Sequence, residues 1–410
     1  MSRIKIKNFG PIKDGYLEND GWLDVKKVTV FIGNQGSGKS TVAKLISLFM
    51  WLEKALIRGD IYTQISSREF LELLAFHRLE NYFEPNTEIE YEGATYEIEV
   101  RKNKNSDKPF IAAKKLNANS VNLPKIMYVP AERNFLSSIE NINKVSDLVV
   151  GSLKNFSVEF RNAQLAHKGK PLDLPINNTK VVYEPNDDEN YLDLGGKRLK
   201  LSHASSGFHS IVPLYWVTKY LVDFVKQGEK KLLELLSLDQ TIRRNSELNG
   251  LNTQGLDEKT LRIREQEINA KYVCKYFVNI VEEPEQNLFP TSQKLLLNSL
   301  LAFNNGNNML IMTTHSPYLI NYLTLCVKAE MVNLNLTSEE SRHKMAKIVP
   351  LESTLSAGNL VIYELDEKDG SIIKLPDYKG LPSDENSLNS GLEDSNELFA
   401  QLQEIEKGWR

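Results

Sequence analysis

The sequence predicts a mixed α/β fold in which helices flank a core sheet. Three apolar runs rich in β-branched residues have the length of buried strands, and they lie at residues 28–32, 276–281 and 308–313. Each run is followed by a stretch with helical periodicity. A glycine-rich turn joins the first run to its helix. Strands that alternate with helices in this way are typical of an open α/β sheet.

The remaining elements are assigned in chain order from periodicity and turn residues. Further strands are predicted at residues 4–7, 87–101 (a hairpin turning at Gly93), 125–129, 179–201 (strands and turns), 361–365 and 371–375. Helices are predicted over residues 41–56, in the next stretch up to about residue 84, within 134–168 and over 211–225. A charged helical hairpin is predicted over 228–271, with breaks near Asn249-Gly250 and Gly255. We expect the strands between residues 87 and 129 to form an edge sheet beside the first helix.

This pattern divides the chain into four segments. They are an N-terminal half (1–135) with the glycine-rich turn and the edge sheet, a helical lobe with a charged insertion (136–272), a C-terminal half (273–376), and an acidic, weakly ordered tail with a short final helix (377–410).

The composition is that of an ordinary globular protein. The 410 residues are 41% hydrophobic, 25% charged and 9% aromatic, which excludes disordered, collagen-like and disulfide-stapled classes. Because 50 Lys and Arg face 54 Asp and Glu, nucleic acid could be bound only through a local basic surface. Cys274 and Cys326 lie far apart, without metal-ligand spacing. With no leader-like start and no apolar stretch near ~20 residues, we expect a cytoplasmic protein without a membrane span.

The strongest chemical signal is the glycine-rich turn after the strand at 28–32. The turn and the start of its helix read Gly33, Asn34, Gln35, Gly36, Ser37, Gly38, Lys39, Ser40 and Thr41. Glycines let backbone N–H groups surround phosphate oxygens, and the helix N-terminus adds positive potential. Lys39 can reach the terminal phosphates, and the Ser40 hydroxyl can bind Mg²⁺. A turn that only linked two elements would not need the Lys-Ser pair, so we expect a nucleotide-phosphate site.

Two adjacent acids follow the second predicted strand. Glu282 and Glu283 come directly after residues 276–281, and open α/β sheets bind ligands at the carboxyl ends of their strands. We expect Glu282 to hold Mg²⁺ through a water and Glu283 to act as general base on the attacking water. The alternative is an exposed acidic turn, and the phosphate-binding turn upstream favours the catalytic interpretation.

A histidine follows the third strand. His315 stands at the end of residues 308–313, where a neutral imidazole can donate one hydrogen bond to a γ-phosphate and accept another from water. A structural role is the alternative for a histidine considered alone. The order of the motifs favours a catalytic role.

A run of small residues precedes the apolar helix. Ala204, Ser205, Ser206 and Gly207 place free N–H groups at a helix start, which makes an anion site. A simple helix cap is the alternative, and the position of the run between the first and second motifs favours phosphate binding.

These four motifs stand in the order Walker A, signature, Walker B and switch histidine, and the set resembles the ABC-type P-loop ATPases. Within them it resembles the branch of the structural-maintenance-of-chromosomes (SMC), RecF and overcoming-lysogenisation-defect ATPases. Finer details look like the stand-alone ATPases of bacterial anti-phage systems of the Septu and retron type. These details are Tyr128-Val-Pro-Ala-Glu-Arg133, Ser205-Ser-Gly-Phe-His-Ser210, Glu283-Pro-Glu285 with Leu288-Phe-Pro290, and Thr314-His-Ser-Pro317. The resemblance covers most of residues 1–365.

The resemblance implies a P-loop NTPase fold with an ABC/SMC-like head. Such a head has a mixed core sheet flanked by helices, an antiparallel edge sheet, and a helical lobe that carries the signature. It implies a homodimer that binds ATP and Mg²⁺ between the Walker A of one subunit and the signature of the other. Ser205, Ser206 and Gly207 would then act in trans, with Glu283 and His315 catalytic. ATP binding would close the dimer, and hydrolysis would open it.

Three features depart from the usual pattern. The first Walker B acid is Glu282 where Asp is usual, and the signature contains Ala204 and Phe208 where Leu and a polar residue are commoner. In addition, no glutamine loop follows the strand at 125–129, where Glu132 and Arg133 stand without an assigned role.

The leading functional hypothesis is a dimeric switch ATPase, alone or in a higher assembly, that controls a separately encoded effector such as a nuclease in anti-phage defence. DNA or RNA would be met through that complex. The alternative is a RecF/SMC-like repair or chromosome-maintenance ATPase that clamps DNA directly. Its basic patch would draw on Lys114, Lys115, Lys125, Arg133, Lys154, Lys168 and Lys170. A transporter motor subunit is disfavoured because a membrane-coupling glutamine loop is missing.

The sequence after residue 359 favours a separate effector. About fifty residues follow Asn359, which is too few for the TOPRIM nuclease domain of the overcoming-lysogenisation-defect nucleases. The acids at 366–369 are expected to form a turn between two short strands.

Overall fold

A computed structural model describes residues 2–104, 108–116, 122–139, 149–252 and 257–407. Its strands are β1 (Ser2–Phe9), β2 (Gly15–Tyr16), β3 (Leu23–Val25), β4 (Val28–Gly33), β5 (Phe83–Glu92), β6 (Tyr96–Lys102), β7 (Phe110–Lys115), β8 (Leu123–Val129), β9 (Leu172–Asp173), β10 (Lys180–Glu184), β11 (Glu189–Asp193), β12 (Arg198–Lys200), β13 (Cys274–Glu282), β14 (Met309–Thr313), β15 (Leu360–Leu365), β16 (Ser371–Lys374), β17 (Asp377–Tyr378) and β18 (Leu381–Pro382). Its helices are α1 (Lys39–Arg58), α2 (Ser67–Phe76), α3 (Phe135–Ser138), α4 (Gly151–Ala166), α5 (Ser206–Val225), α6 (Glu229–Glu234), α7 (Leu238–Asn252), α8 (Glu258–Ala270), α9 (Pro290–Phe303), α10 (Pro317–Asn333), α11 (Glu339–Ala346) and α12 (Ser387–Lys407).

A seven-stranded mixed sheet forms the core, in the order β2-β16-β15-β4-β14-β13-β8. The five strands from β15 to β8 run parallel, and β16 pairs antiparallel with β15. All six residues of β4 are buried, as its continuous apolar run predicted. Because parallel strands end at one edge of a sheet, the residues that follow β4, β13 and β14 meet there.

A second, antiparallel sheet packs on the far side of α1, in the order β3-β1-β5-β6-β7. Helix α1 buries apolar side chains against both sheets, in one cluster that includes Ile4 and Tyr91 from the second sheet and Val278 from the core sheet. The edge sheet beside the first helix is therefore confirmed. The assignment of residues 125–129 to it is wrong, because β8 pairs in parallel with β13.

The opposite face of the core sheet is covered by helices α5, α9 and α10. Their apolar side chains join one large cluster, in which Trp216 of α5 and Phe160 of α4 are fully buried. A four-stranded antiparallel sheet, β12-β11-β10-β9, lies between α4 and α5 along the chain, as the strand and turn pattern of residues 179–201 predicted. These elements place the start of α5 beside the core.

The charged segment and the tail differ from expectation. The segment 228–271 contains three helices, and α7 runs through Asn252, so the predicted break at Asn249-Gly250 is wrong. The predicted break at Gly255 lies outside the described residues. The tail was expected to end in a short helix, whereas α12 has 21 residues, because apolar residues at 398, 399, 402 and 405 share a helical face. The segment boundaries at 135, 272 and 376 stay predictions.

Within the described parts of the chain, no helix combines the length and apolar character needed to cross a bilayer.

Candidate active site

The glycine-rich turn leaves β4 at Gly33 and enters α1 at Lys39. Gly38 caps the helix with φ of 100°, a left-handed conformation that other residues rarely adopt. A Cβ atom at Gly38 would also lie 2.6 Å from Cδ1 of Ile12. The turn between β1 and β2 is therefore packed directly on the loop, and glycine is required there by both conformation and space.

The Lys39 ammonium is folded into the loop. Its Nζ donates hydrogen bonds to Gly33 O at 2.9 Å, Asn34 O at 2.6 Å and Ser37 Oγ at 3.4 Å. Burial lowers the pKa of Lys39 to about 8, although the nearby carboxylates of Glu283 and Glu285 oppose this shift. The loop thus holds a partly desolvated cation where phosphate oxygens would be bound. Ser40 and Thr41 follow in the first turn of α1, as expected.

Glu282 ends β13 as a buried carboxylate that is 4% exposed. Its Oε2 accepts a hydrogen bond from Ala131 N at 3.0 Å, whereas Oε1 has no hydrogen-bond partner among the described residues. Burial, and then the adjacent charge of Glu282, raise the pKa of Tyr128. A buried carboxylate with one free oxygen fits a hydrated Mg²⁺, because that ion is commonly bound by one or two carboxylates and water.

Glu283 lies just beyond the strand with φ of 43°. Its N–H donates to Thr313 O at 3.0 Å, which ties the residue to the neighbouring strand β14. Its Oε1 lies 3.7 Å from Nε2 of His315, and both side chains are about one third exposed. A left-handed backbone costs about 1–3 kcal/mol in a residue other than glycine. Here it accompanies a carboxylate that faces the histidine at the open edge of the sheet.

His315 is positioned by a third acid. Glu285 accepts a hydrogen bond from His315 N at 2.7 Å, and burial raises the pKa of Glu285. Burial, followed by the positive charge of Lys39, lowers the pKa of His315, although Glu283 opposes this shift. This shift favours the neutral form of the imidazole. Glu285 itself was not predicted as a site residue, although it lies in the Glu-Pro-Glu motif.

Arg133 is the main site residue that the sequence left without a role. It is fully buried and donates to Glu282 O and Glu283 O at 2.6 Å each, to Ser210 O of α5 at 3.2 Å and to Pro130 O at 3.3 Å. Burial lowers the pKa of Arg133 to about 10, so it stays charged at neutral pH. Arg133 therefore joins the acidic end of β13 to α5. Its signal in the sequence was an arginine four residues after the end of strand β8.

The signature residues stand apart from this cluster. Ser205 caps α5 without a side-chain hydrogen bond, and Ser205 and Ser206 are exposed. A Cβ at Gly207 would lie 3.0 Å from Asn287 O, so the helix start rests on the segment that follows the Walker B acids. Among the described residues, no hydrogen bond joins residues 205–207 to the loop 33–40. The structure thus brings together Lys39, Glu282, Glu283 and His315, but not the signature.

The strand–loop–helix around Lys39 and the parallel order of the core strands define a P-loop nucleotide-binding fold. No protein-family model and no curated protein sequence matches the chain. Among solved structures, it is similar to an SMC head domain from Thermotoga maritima, with 11% identity, a TM-score of 0.38, and coverage of 92% of this chain and 98% of that one. It is also similar to an Smc head domain with an extended coiled coil, bound to the C-terminal domain of ScpA, from Pyrococcus furiosus. The identity is 11%, the TM-score is 0.39, and the match covers 98% of this chain and 100% of that one. A third similar structure is a dimeric ATP-binding cassette bound to ADP and Pi in a post-hydrolysis state. The identity is 12%, the TM-score is 0.30, and the match covers 92% of this chain and 100% of that one.

Proposed function

We propose that the protein binds and hydrolyses ATP with Mg²⁺ and works as a dimeric switch. The observation that carries this proposal is the convergence at one sheet edge of a loop-bound lysine, a buried carboxylate with a free oxygen, and a glutamate facing a neutral histidine. Phosphate binding, metal binding and activation of water each have a suitable group there.

Each residue then has a defined task. The N–H groups of the loop and Lys39 hold the phosphates, which take the place of the carbonyl groups that Lys39 contacts. Ser40 and Glu282 would hold Mg²⁺, Glu282 through a water, and the ion would supply positive charge at the phosphates. Glu283 accepts the proton of the attacking water, and the neutral His315 hydrogen-bonds the γ-phosphate or that water.

The exposed start of α5 supports a dimer. Ser205 and Ser206 are exposed at the positive end of a 20-residue helix, and among the described residues the Ser205 hydroxyl accepts no capping hydrogen bond from a helix N–H. We infer that a second copy places its phosphates there. Because Arg133 donates to both Ser210 O and Glu283 O, closure at α5 can be transmitted to the catalytic base.

We further propose that the switch controls a separately encoded effector, a nuclease, in anti-phage defence in the cytoplasm. The motif details that resemble Septu and retron ATPases support this. A second support is the exposed apolar face of α12, which consists of Leu398, Phe399, Leu402 and Ile405. Exposed Glu397 and Glu404 flank that face, so it fits an effector surface that is apolar with basic margins.

Direct clamping of DNA is less well supported. Two members of the predicted basic patch are unavailable, because Arg133 is fully buried and Lys125 binds Glu159 at 2.6 Å. Nothing in the described residues favours that alternative over the effector-controlled switch.

The function is tested with purified full-length chain and with tagged chain expressed beside its neighbouring genes. We expect Mg²⁺-dependent ATP hydrolysis, ATP-dependent dimers in light scattering, and co-purification of a neighbouring nuclease that is lost when Phe399→Glu and Leu402→Glu are combined. Exposed Phe110 on β7 gives a matched control as Phe110→Glu. Steep, salt-dependent binding of duplex DNA by the isolated protein, without a protein partner, would instead support the clamp.

A further inference from the structure

A cavity of about 610 Å³ lies between α1, α2, β8 and α4, beside the candidate active site and separate from its phosphate loop. Three aromatic side chains form its outer walls, and these are partly or largely exposed: Trp51 (37%), Phe76 (40%) and Tyr62 (86%). The cavity is large enough for a bicyclic ring with its substituents. Exposed aromatic faces of this kind bind planar rings by stacking.

One residue of the inner wall, His77, has a buried polar atom without a hydrogen-bond partner among the described residues. His77 lines the cavity and is 3% exposed, and its Nδ1 makes no hydrogen bond among the described residues. Its ring is held edge-on between Phe76 and Tyr128, with centroid distances of 4.9 and 5.0 Å. Burial lowers the pKa of His77 to about 3, so the imidazole is neutral. Buried polar groups are nearly always hydrogen-bonded, and a ligand in the cavity could supply the missing partner.

The lining residues favour an uncharged ligand. None of the described residues that line the cavity is lysine or arginine, so a phosphate would meet no cation among the lining side chains themselves. Its three carboxylates already have partners: Asp60 binds Arg243, Glu69 binds Ser66, and Glu72 binds Arg68. A cation would therefore compete with an arginine at two of the three carboxylates, Asp60 and Glu72. An uncharged ligand fits best.

We propose that this cavity binds an uncharged, planar heteroaromatic molecule of nucleobase size. The molecule stacks on Trp51 and Phe76 and makes a hydrogen bond with Nδ1 of His77. The site is distinct from the ATP site and does not depend on the proposed ATPase function.

One side of the cavity lies close to Glu282, the acid proposed to bind Mg²⁺. Tyr128 lines the cavity, packs on His77 and lies next to the Glu282 carboxylate. A ligand that displaces the Tyr128 ring or hydroxyl would alter the surroundings of Glu282. This consequence rests on the proposed function, and its readout is the rate of ATP hydrolysis with bound ligand.

The binding test uses the full-length chain with Lys39→Ala, so that a base cannot be held with its phosphates in the loop. Adenine and caffeine are the uncharged probes and AMP is the charged one, with titrations followed by calorimetry and by tryptophan fluorescence. We expect one probe per chain, at least tenfold weaker binding of AMP, and a loss of at least tenfold in probe affinity with Trp51→Ala. His77→Asn, which keeps a polar atom, should bind better than His77→Leu.

Trp22→Ala is the matched control, because Trp22 contacts Arg3 on the second sheet and not the cavity. If His77 variants unfold, the partly exposed Trp51 keeps the test decisive. The proposal is overturned if no uncharged probe binds at millimolar concentration, if AMP binds as tightly as adenine, or if Trp51→Ala leaves affinity unchanged. If a co-purified protein covers Trp51 and the probes do not bind, the cavity is a protein-docking groove. That result would also overturn the proposal.

Failure of ATP hydrolysis with intact probe binding would contradict the proposed function and leave the cavity site standing. Probe binding that leaves hydrolysis unchanged would remove only the connection through Tyr128.

Discussion

The end of the core sheet and the start of α5 differ in how many of their polar groups find hydrogen-bond partners within one chain. At the sheet end, Lys39, Glu285 and Arg133 are buried or nearly so, and each has hydrogen-bond partners from neighbouring elements. At the start of α5, Ser205 and Ser206 are exposed, and the Ser205 side chain makes no capping hydrogen bond to the described helix. The first region is organised before any ligand arrives, whereas the second supplies groups that a further molecule must use.

The physical cause of this difference is the direction of the elements. Parallel strands bring their ends together inside the molecule, where burial favours a hydrogen-bond partner for each polar group, and Oε1 of Glu282 is an exception among the described residues. A helix start at the surface keeps its free N–H groups hydrogen-bonded to water, which costs little free energy. A bound phosphate can then replace that water. Arg133 connects the two regions, since it donates to Ser210 O and to Glu283 O. The predictions below test each side of this contrast and then the connection.

The largest effect is expected at the sheet end with Glu283→Gln. The amide keeps the shape of the side chain but cannot accept the proton of water, so hydrolysis should fall by roughly 10²–10⁴-fold. Nucleotide affinity should change by less than about threefold, and the ATP-bound dimer should persist. Phosphate-release kinetics and light scattering with ATP measure the two properties. Undiminished hydrolysis would remove Glu283 from the role of base.

A mixing experiment tests whether the exposed region acts on a partner. Ser205→Arg and Lys39→Ala should each abolish most hydrolysis alone, by roughly 10–100-fold or more. An equal mixture should recover roughly a quarter of wild-type activity, because half of the dimers then contain one site with an intact loop and an intact signature. If the mixture stays inactive, or if Ser205→Arg is active by itself, the signature does not act in trans.

The connection between the regions is tested with Arg133→Lys. Lysine keeps the charge but lacks the planar fork that reaches Glu282 O and Glu283 O together, so kcat should fall by roughly tenfold with little change in KM for ATP. Arg133→Ala should also lower the free energy of unfolding by about 3 kcal/mol, because it leaves several buried carbonyls unpaired.

Urea unfolding and steady-state kinetics separate these two effects. Arg78→Lys provides the control, since Arg78 is exposed and forms an ion pair with Glu132 at 3.7 Å. A merely structural role for Arg133 would lower stability in both of its variants without the selective loss of kcat in Arg133→Lys.

The smallest effect is a pH dependence of nucleotide binding. Burial lowers the pKa of Lys39 to about 8, and a bound phosphate favours its charged form, so binding takes up a proton above that pH. Affinity should be nearly constant below pH 8 and should then fall, toward about tenfold per pH unit. Fluorescent-nucleotide titrations from pH 6.5 to 9.5 measure it. Lys39→Ala should bind weakly and show no such fall, and a flat wild-type profile would show that Lys39 is not the group involved.

Local patterns were sufficient to predict much of the candidate site. The glycine-rich turn, the acids at 282 and 283 and the histidine at 315 all follow buried strands, and the structure places them at one edge because those strands are parallel. The strand at 125–129 could not be assigned to a sheet from its sequence, because a short apolar run fits either an edge or a core position. The roles of Arg133 and Glu285 were missed, since their partners are backbone groups 77 to 150 and 30 residues away along the chain.

The sequence by itself determined which polar residues stand at strand ends and helix starts, and which elements precede them. Turn glycines, strand ends and helix starts are local properties, encoded by residues within a few positions of one another. The tertiary structure decided which of those residues meet, where Arg133 is buried, and that the signature stands apart from the loop of its own chain. These outcomes depend on the pairing order of strands and on burial, which are set by contacts between residues distant in the chain.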